Sequence, residues 1–274
     1  MKKIFISLLI VILVLVGLLI VWLIFKPNPV VYTLENGDIV YSGKINVEGY
    51  QKLINKFNNA ESKPKTIVIN SGGGFSLAGK LIGEFIYTHG LNVKVRKRCF
   101  SACANYIFPA GKKKTLTDDA LIIFHGGAFQ KNLFDKYKNF HQKKNQFDDQ
   151  NNKKEASVTQ LTREDVDFLK ESFPELDSCF NKLKKTDTGI ENCLTATQGL
   201  EKEFYEKIKV DPNLPYLGQQ GEYQKIYKSY EYIGFYYSFE SLKKLGLNNI
   251  VTPKDWDPSS NRRFSKVYLV DIVN

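Results

Sequence analysis

The sequence is short of the residues on which several common chemistries depend. Among 274 residues it has one Met, two Trp, three His and four Cys. The His are scattered at 89, 125 and 141, and Cys99-x3-Cys103 has no second matching pair, so a zinc site has no ligand framework. The glycine-rich turn at 71–74 lacks the Lys-Ser/Thr ending of a phosphate loop and the spacing of a dinucleotide fingerprint. No internal repeat is evident. Acidic residues are the minority, 29 against 39 Lys+Arg. Charge is missing altogether from Ile4 to Phe25, a block of 22 residues in which only Ser7 and Gly17 fall outside the hydrophobic set.

That block reaches roughly 33 Å as a helix, enough to cross a bilayer core of about 30 Å. It is longer than the roughly 7–15 residues of a signal h-region, and Trp22-Leu23-Ile24-Phe25-Lys26-Pro27 offers no small-x-small cleavage site, so an uncleaved anchor is favoured over a cleaved signal. Lys2 and Lys3 on one side against Lys26 on the other place the N-terminus in the cytoplasm. Residues 27–274 carry +7, and 33 of the 36 aromatic residues lie in them, which excludes a disordered or collagenous chain.

Cysteine usage fits an oxidising compartment. Cys179 and Cys193 bracket a polar, Lys-rich stretch where a disulfide would add about 3 kcal/mol, and Cys99 and Cys103 form a second candidate pair, with free buried thiols as the alternative.

Five segments are expected: the anchor at 1–26, a linker at 27–37, an α/β core at 38–128, a helical insertion at 129–233, and a closing helix, strand and tail at 234–274. In the core, strands at Asp38–Ile45, Lys65–Asn70, Leu91–Val95 and Leu121–Phe124 alternate with helical spacing at Val47–Phe57 and at 77, 78, 81, 82, 85 and 86. Alternation of this kind implies βαβ units and a mainly parallel sheet. Phe129, Leu133, Tyr137, Phe140 and Phe147 mark one helical face in the insertion; Thr162 with Asp165 resembles a capping box. A helix at Ser238–Leu245 and a strand at Leu247–Val251 follow. The alternating run Phe264–Val273 suits an edge strand with no assigned neighbour.

Three features stand at the ends of expected strands, where open α/β sheets gather reactive groups. They are Ser71-Gly72-Gly73-Gly74, Ser101 at the start of a short helix (Ser101–Ala110), and His125. Singly they read as a tight turn, a helix cap and a strand-end His. Together they provide backbone donors, a nucleophile and a base. The serine is not framed by the Gly-x-Ser-x-Gly of α/β-hydrolases.

The stretch Thr66–Gly79, the Ser101 turn leading to Phe108-Pro109-Ala110-Gly111, and Leu121–Gly127 resemble successive motifs of the Clp protease proteolytic subunit. They fit its wider Clp/crotonase superfamily, including membrane-anchored, signal-peptide-peptidase-A-like proteins and periplasmic relatives. The resemblance covers about 38–128, then Ser238–Val251. It implies an α/β fold of the ββα spiral type, a Ser101 nucleophile, a His125 general base and an oxyanion hole from the Gly73 and Ala102 N–H groups. The family's catalytic Asp falls at Gly234, so Glu231 is the nearest substitute; a Ser–Lys dyad using Lys136, Lys138 or Lys143 is the other arrangement.

The expected protein is thus a bacterial inner-membrane, periplasmic serine hydrolase. It acts on a polypeptide substrate or binds a protein partner, with a homo-oligomer as the expected assembly and with no cofactor, metal or nucleic acid. A non-catalytic binding or assembly module on the same fold is the alternative. The basic runs Lys94–Arg98 and Lys112–Lys114 read as solvated surface or as attractors of acidic groups.

Overall fold

The computed structural model describes residues 29–130, 162–177, 187–229, 231–254, 256 and 265–272. The apolar block, the lysines at 136, 138 and 143, Cys179 and most of the 129–147 aromatic stripe lie outside them. Among the described residues no helix is long and apolar enough to cross a membrane.

Strands β1 (Val30–Thr33) and β2 (Ile39–Ser42) form an antiparallel hairpin around Asn36-Gly37, with Val30 opposite Ser42. Helix α1 (Val47–Asn58) starts where the Asn46 side chain accepts the Gly49 N–H at 2.8 Å. After it come β3 (Thr66–Ser71), α2 (Ser76–Thr88) and β4 (Asn92–Phe100). Helix α3 begins with a π-helical turn, Cys103–Ile107, and runs on as Phe108–Ala110. Short strands β5 (Lys114–Leu116) and β6 (Leu121–Ile123) follow. The remaining elements are α4 (Arg163–Ser172), α5 (Asp187–Ile208), α6 (Gln224–Lys228), β7 (Gly234–Tyr237), α7 (Phe239–Lys244), β8 (Ile250–Val251) and β9 (Val267–Val270). The Thr162–Asp165 capping box is formed, and α4 ends before Pro174.

The main sheet runs β1-β2-β3-β4-β5-β8, with β6 also on β4, and every pairing except β1–β2 is parallel. β4 is longer than the expected Leu91–Val95 strand, and it bends. Ile69 faces Val95 and Ser71 faces Cys99, so two residues of β3 are matched by four of β4, and Lys97 takes up the excess at φ +65°. The first half of β4 pairs with β5 and the second with β6. β9 finds its neighbour in β7, with which it forms a separate parallel pair.

The core is built from one face of the main sheet and from α5, whose Phe204, Tyr205 and Ile208 join Ile67, Ile69, Phe108 and Phe124 in one buried cluster. A second cluster packs Leu169, Phe173 and Leu176 on Val47, Leu77 and Leu81. Lys80 is buried at its edge, paired with Glu84 at 2.5 Å and set over the Phe173 ring. Residues 169–176 and 193–208 therefore pack into the core of the domain. Helix α2 meets α3 at a glycine: a Cβ on Gly83 would lie 2.4 Å from Tyr106 O. Gly83→Ala must move one backbone against the other and is expected to destabilise by about 1–3 kcal/mol. Thermal unfolding of the full chain measures this, and an unchanged midpoint would contradict the close approach.

Candidate active site

Ser101 lies between β4 and α3 at φ +59°, a conformation uncommon for a side-chain-bearing residue. The expected helix start at Ser101 is thereby corrected: the residue occupies a turn, and the helix begins at Cys103. Three contacts hold it there. Its N–H donates to Ile123 O at 3.0 Å, its carbonyl accepts the Asn105 N–H at 2.8 Å, and Cys99 and Cys103 on either side form a disulfide with Cα atoms 5.1 Å apart. Cys193 is also disulfide-bonded.

His125 follows β6, so the β4–β6 pairing sets the separation of the two residues. His125 Nε2 lies 2.7 Å from Ser101 Oγ, and both side chains are partly exposed. Phe100 packs against the imidazole, ring centroids 4.9 Å apart. Gly73 meets the same turn: a Cβ there would sit 2.6 Å from Ser101 Cβ and 3.2 Å from Ala102 N. The structure thus brings together Gly73, Ser101, Ala102 and His125. In this state the Gly73 N–H donates to Ser71 Oγ at 3.1 Å, and Ser71 Oγ donates to Gly43 O at 2.6 Å. Ala102 N–H has no acceptor among the described residues.

Glu231 is not brought to this group. It is exposed, and its backbone N–H donates to Ser229 Oγ. Gly234 cannot supply a carboxylate by position either. A Cβ there would be 2.4 Å from Phe124 O, because Phe124 and Phe235 exchange two backbone hydrogen bonds of 2.8 Å.

The loop that follows His125 is held by residues outside the expected set. Asn105 Nδ2 donates to Gly126 O and Gln219 Nε2 to His125 O. Glu201 on α5 is buried and accepts the Tyr106 and Tyr216 hydroxyls together with the Ala128 N–H. Tyr216 Oη in turn accepts the Phe129 N–H at 3.0 Å. Burial pushes the Glu201 carboxyl above its ordinary range, while these three donors pull it back. The Tyr106 and Tyr216 hydroxyls are pushed up by burial and by the Glu201 charge. One signal for Glu201 is present in the sequence: it falls on the apolar face of α5, with Phe204, Tyr205 and Ile208 at i+3, i+4 and i+7.

No family model matches the chain, and no curated protein matches it. Among solved structures it is similar to ClpP1 from Listeria monocytogenes and to an asparagine-to-aspartate mutant of that protein. Each shows 20% identity and a TM-score of 0.29, over 39% of this chain and 66% of the other. The chain therefore spans less than two thirds of those proteins' length. So low a score carries no weight by itself. The strand order alone defines a mixed α/β domain with a predominantly parallel sheet.

Two expectations follow from the contacts. The Cys99–Cys103 bridge limits the turns open to Ser101, so reduction, or Cys99→Ala with Cys103→Ala, is expected to slow reaction of Ser101 with a serine-directed probe at least several-fold. An unchanged labelling rate would show that the turn stands without the bridge.

The second concerns Glu201. A carboxyl whose pKa is raised on folding binds more protons in the folded chain, so its contribution to stability declines as pH rises from the unfolded value, about 4.3, through the folded one. Glu201→Gln should remove that component. The stability difference between wild type and variant, from denaturant unfolding across about pH 4 to 7, is expected to shift towards the variant as pH rises. A pH-independent difference would contradict this.

Proposed function

We propose that this chain is a membrane-anchored periplasmic serine hydrolase of Clp-like type, and specifically a peptidase. One observation carries the reading: Ser101 Oγ, presented by a strained turn at a parallel strand end, stands 2.7 Å from His125 Nε2. The location is supported by the apolar block at 4–25, the charge asymmetry around it and the two disulfide-bonded sites. The chain then divides into an anchor at 1–26, a linker at 27–37, a ββα spiral core at 38–128, a helical insertion at 129–233 and a closing unit at 234–274, and assembles with further copies of itself.

In the reaction, His125 takes the Ser101 proton as Oγ attacks a peptide carbonyl carbon. The resulting oxyanion is held by the Ala102 N–H, and by the Gly73 N–H once that group turns from Ser71 Oγ to the substrate. The protonated His125 gives its proton to the leaving amine. Water, deprotonated by the same imidazole, then releases the acyl group from Ser101.

The non-catalytic reading also has a specific observation in its favour, since the Gly73 N–H is engaged internally by Ser71 Oγ. Loss of an orienting carboxylate lowers turnover by about 10⁴ in the best-studied triad, so a weak enzyme and a binding module need a direct test. The full chain in detergent is treated with a fluorophosphonate probe. Wild type is expected to label, Ser101→Ala not at all, and His125→Ala at least about a hundred-fold more slowly. Labelling that survives Ser101→Ala, or is absent from wild type, overturns the enzymatic reading.

A further inference from the structure

One cavity lies away from Ser101 and His125. It lies at the other end of the sheet, where the parallel strands begin, and has a volume of about 830 Å³, within the roughly 300–1,000 Å³ range of small-molecule sites. Lys65 precedes β3, Asn92 opens β4, Lys113 precedes β5 and Asn249 precedes β8, so four neighbouring strands start at its wall. Among the described residues no Asp or Glu lines it.

The lysines stand on fixed backbone. Lys65 O accepts the Asn92 N–H at 2.8 Å, Lys113 O accepts the Val93 N–H at 2.9 Å, and the Lys112 N–H donates to Leu91 O at 2.8 Å. Lys63 has a local task, since its ammonium donates to Phe57 O and Asn58 O at the end of α1. Lys65, Lys112 and Lys113 have exposed side chains, and none of them is in an ion pair among the described residues. Lys65 and Lys113 flank β4, two strand spacings or about 10 Å apart. Like charges held facing one cavity without counter-charges repel one another, and a multivalent anion between them removes that repulsion. A single phosphate is too small to meet both sides.

We infer that this cavity binds a compact soluble polyanion carrying two or more phosphate groups. Phosphates on a membrane surface share this chemistry, but the topology disfavours them. Val30 pairs with Ser42, and Pro29 packs on Gly43, so the chain enters the domain at the strand end that carries Ser71 and Ser101. If residues 4–25 are membrane-embedded, as proposed above, the cavity faces away from that bilayer. This choice of source rests on the anchoring reading; the phosphate chemistry does not.

The test titrates inorganic tripolyphosphate into the full chain in neutral detergent, followed by calorimetry. Saturable one-to-one binding is expected, weakened roughly five-fold by Lys65→Gln and again by Lys113→Gln, unchanged in Lys225→Gln on α6, and weakened by added salt. Ser101→Ala should bind as wild type does, which separates this result from the fate of the hydrolase reading. Absence of saturable binding, or equal losses in Lys225→Gln, overturns the site. Tighter binding to phosphatidylcholine vesicles containing phosphatidic acid than to tripolyphosphate overturns the soluble assignment.

Discussion

The molecule depends on one strand taking two sets of neighbours. β4 pairs with β3 along its length, but the excess residues around Lys97 turn its second half out of line with the first. The first half then meets β5 and the second meets β6. Without that bend Phe100 would have no place beside β6, and Ser101 and His125, which follow the two paired strands, would not converge. The separation of the serine and the imidazole is thus a property of sheet register more than of local loop shape.

Around that register the molecule adds restraints of different kinds. The Cys99–Cys103 bridge acts on the backbone of the turn, and the Ile123 carbonyl fixes where the turn meets the sheet. The loop beyond His125 is held from outside by a buried carboxylate and two tyrosines. A buried Glu with three donors is compatible with the interior only while all of them stay in place, because each lost partner leaves a desolvated polar group. The helix supplying Glu201 also contributes Phe204 and Tyr205 to the core, so the same packing that stabilises α5 sets the His125 loop.

Much of the core was legible from the order of residues because its strands are short β-branched runs and its helices keep their apolar spacing. Lys65–Asn70 and 77–86 are read correctly within a residue or two of β3 and α2. What escaped has a common cause. β5, Lys114-Thr115-Leu116, is three residues long with a lysine in it, and β7 begins with a glycine; each is a strand because a neighbour offers a ladder, which local pattern does not record. Ser101 looks like a helix cap by composition, and only the bridge and the sheet put it in a left-handed turn. Glu201 sits in a run of charged residues, Glu201-Lys202-Glu203, where two of the three acquire ordinary exposure and one does not. The pair Ser101 and His125 could be chosen from strand ends; their partners came from long-range packing.

The bridge between Phe124 and Phe235 reaches further than its two hydrogen bonds suggest. Gly234 is pressed onto the Phe124 carbonyl, one residue before the imidazole. Any side chain there would pry β7 from β6 and carry His125 with it. Position 234 is therefore closed to substitution in this chain. A carboxylate introduced by a single exchange at 234 would thus dismantle the pairing of Ser101 with His125 instead of adding to it.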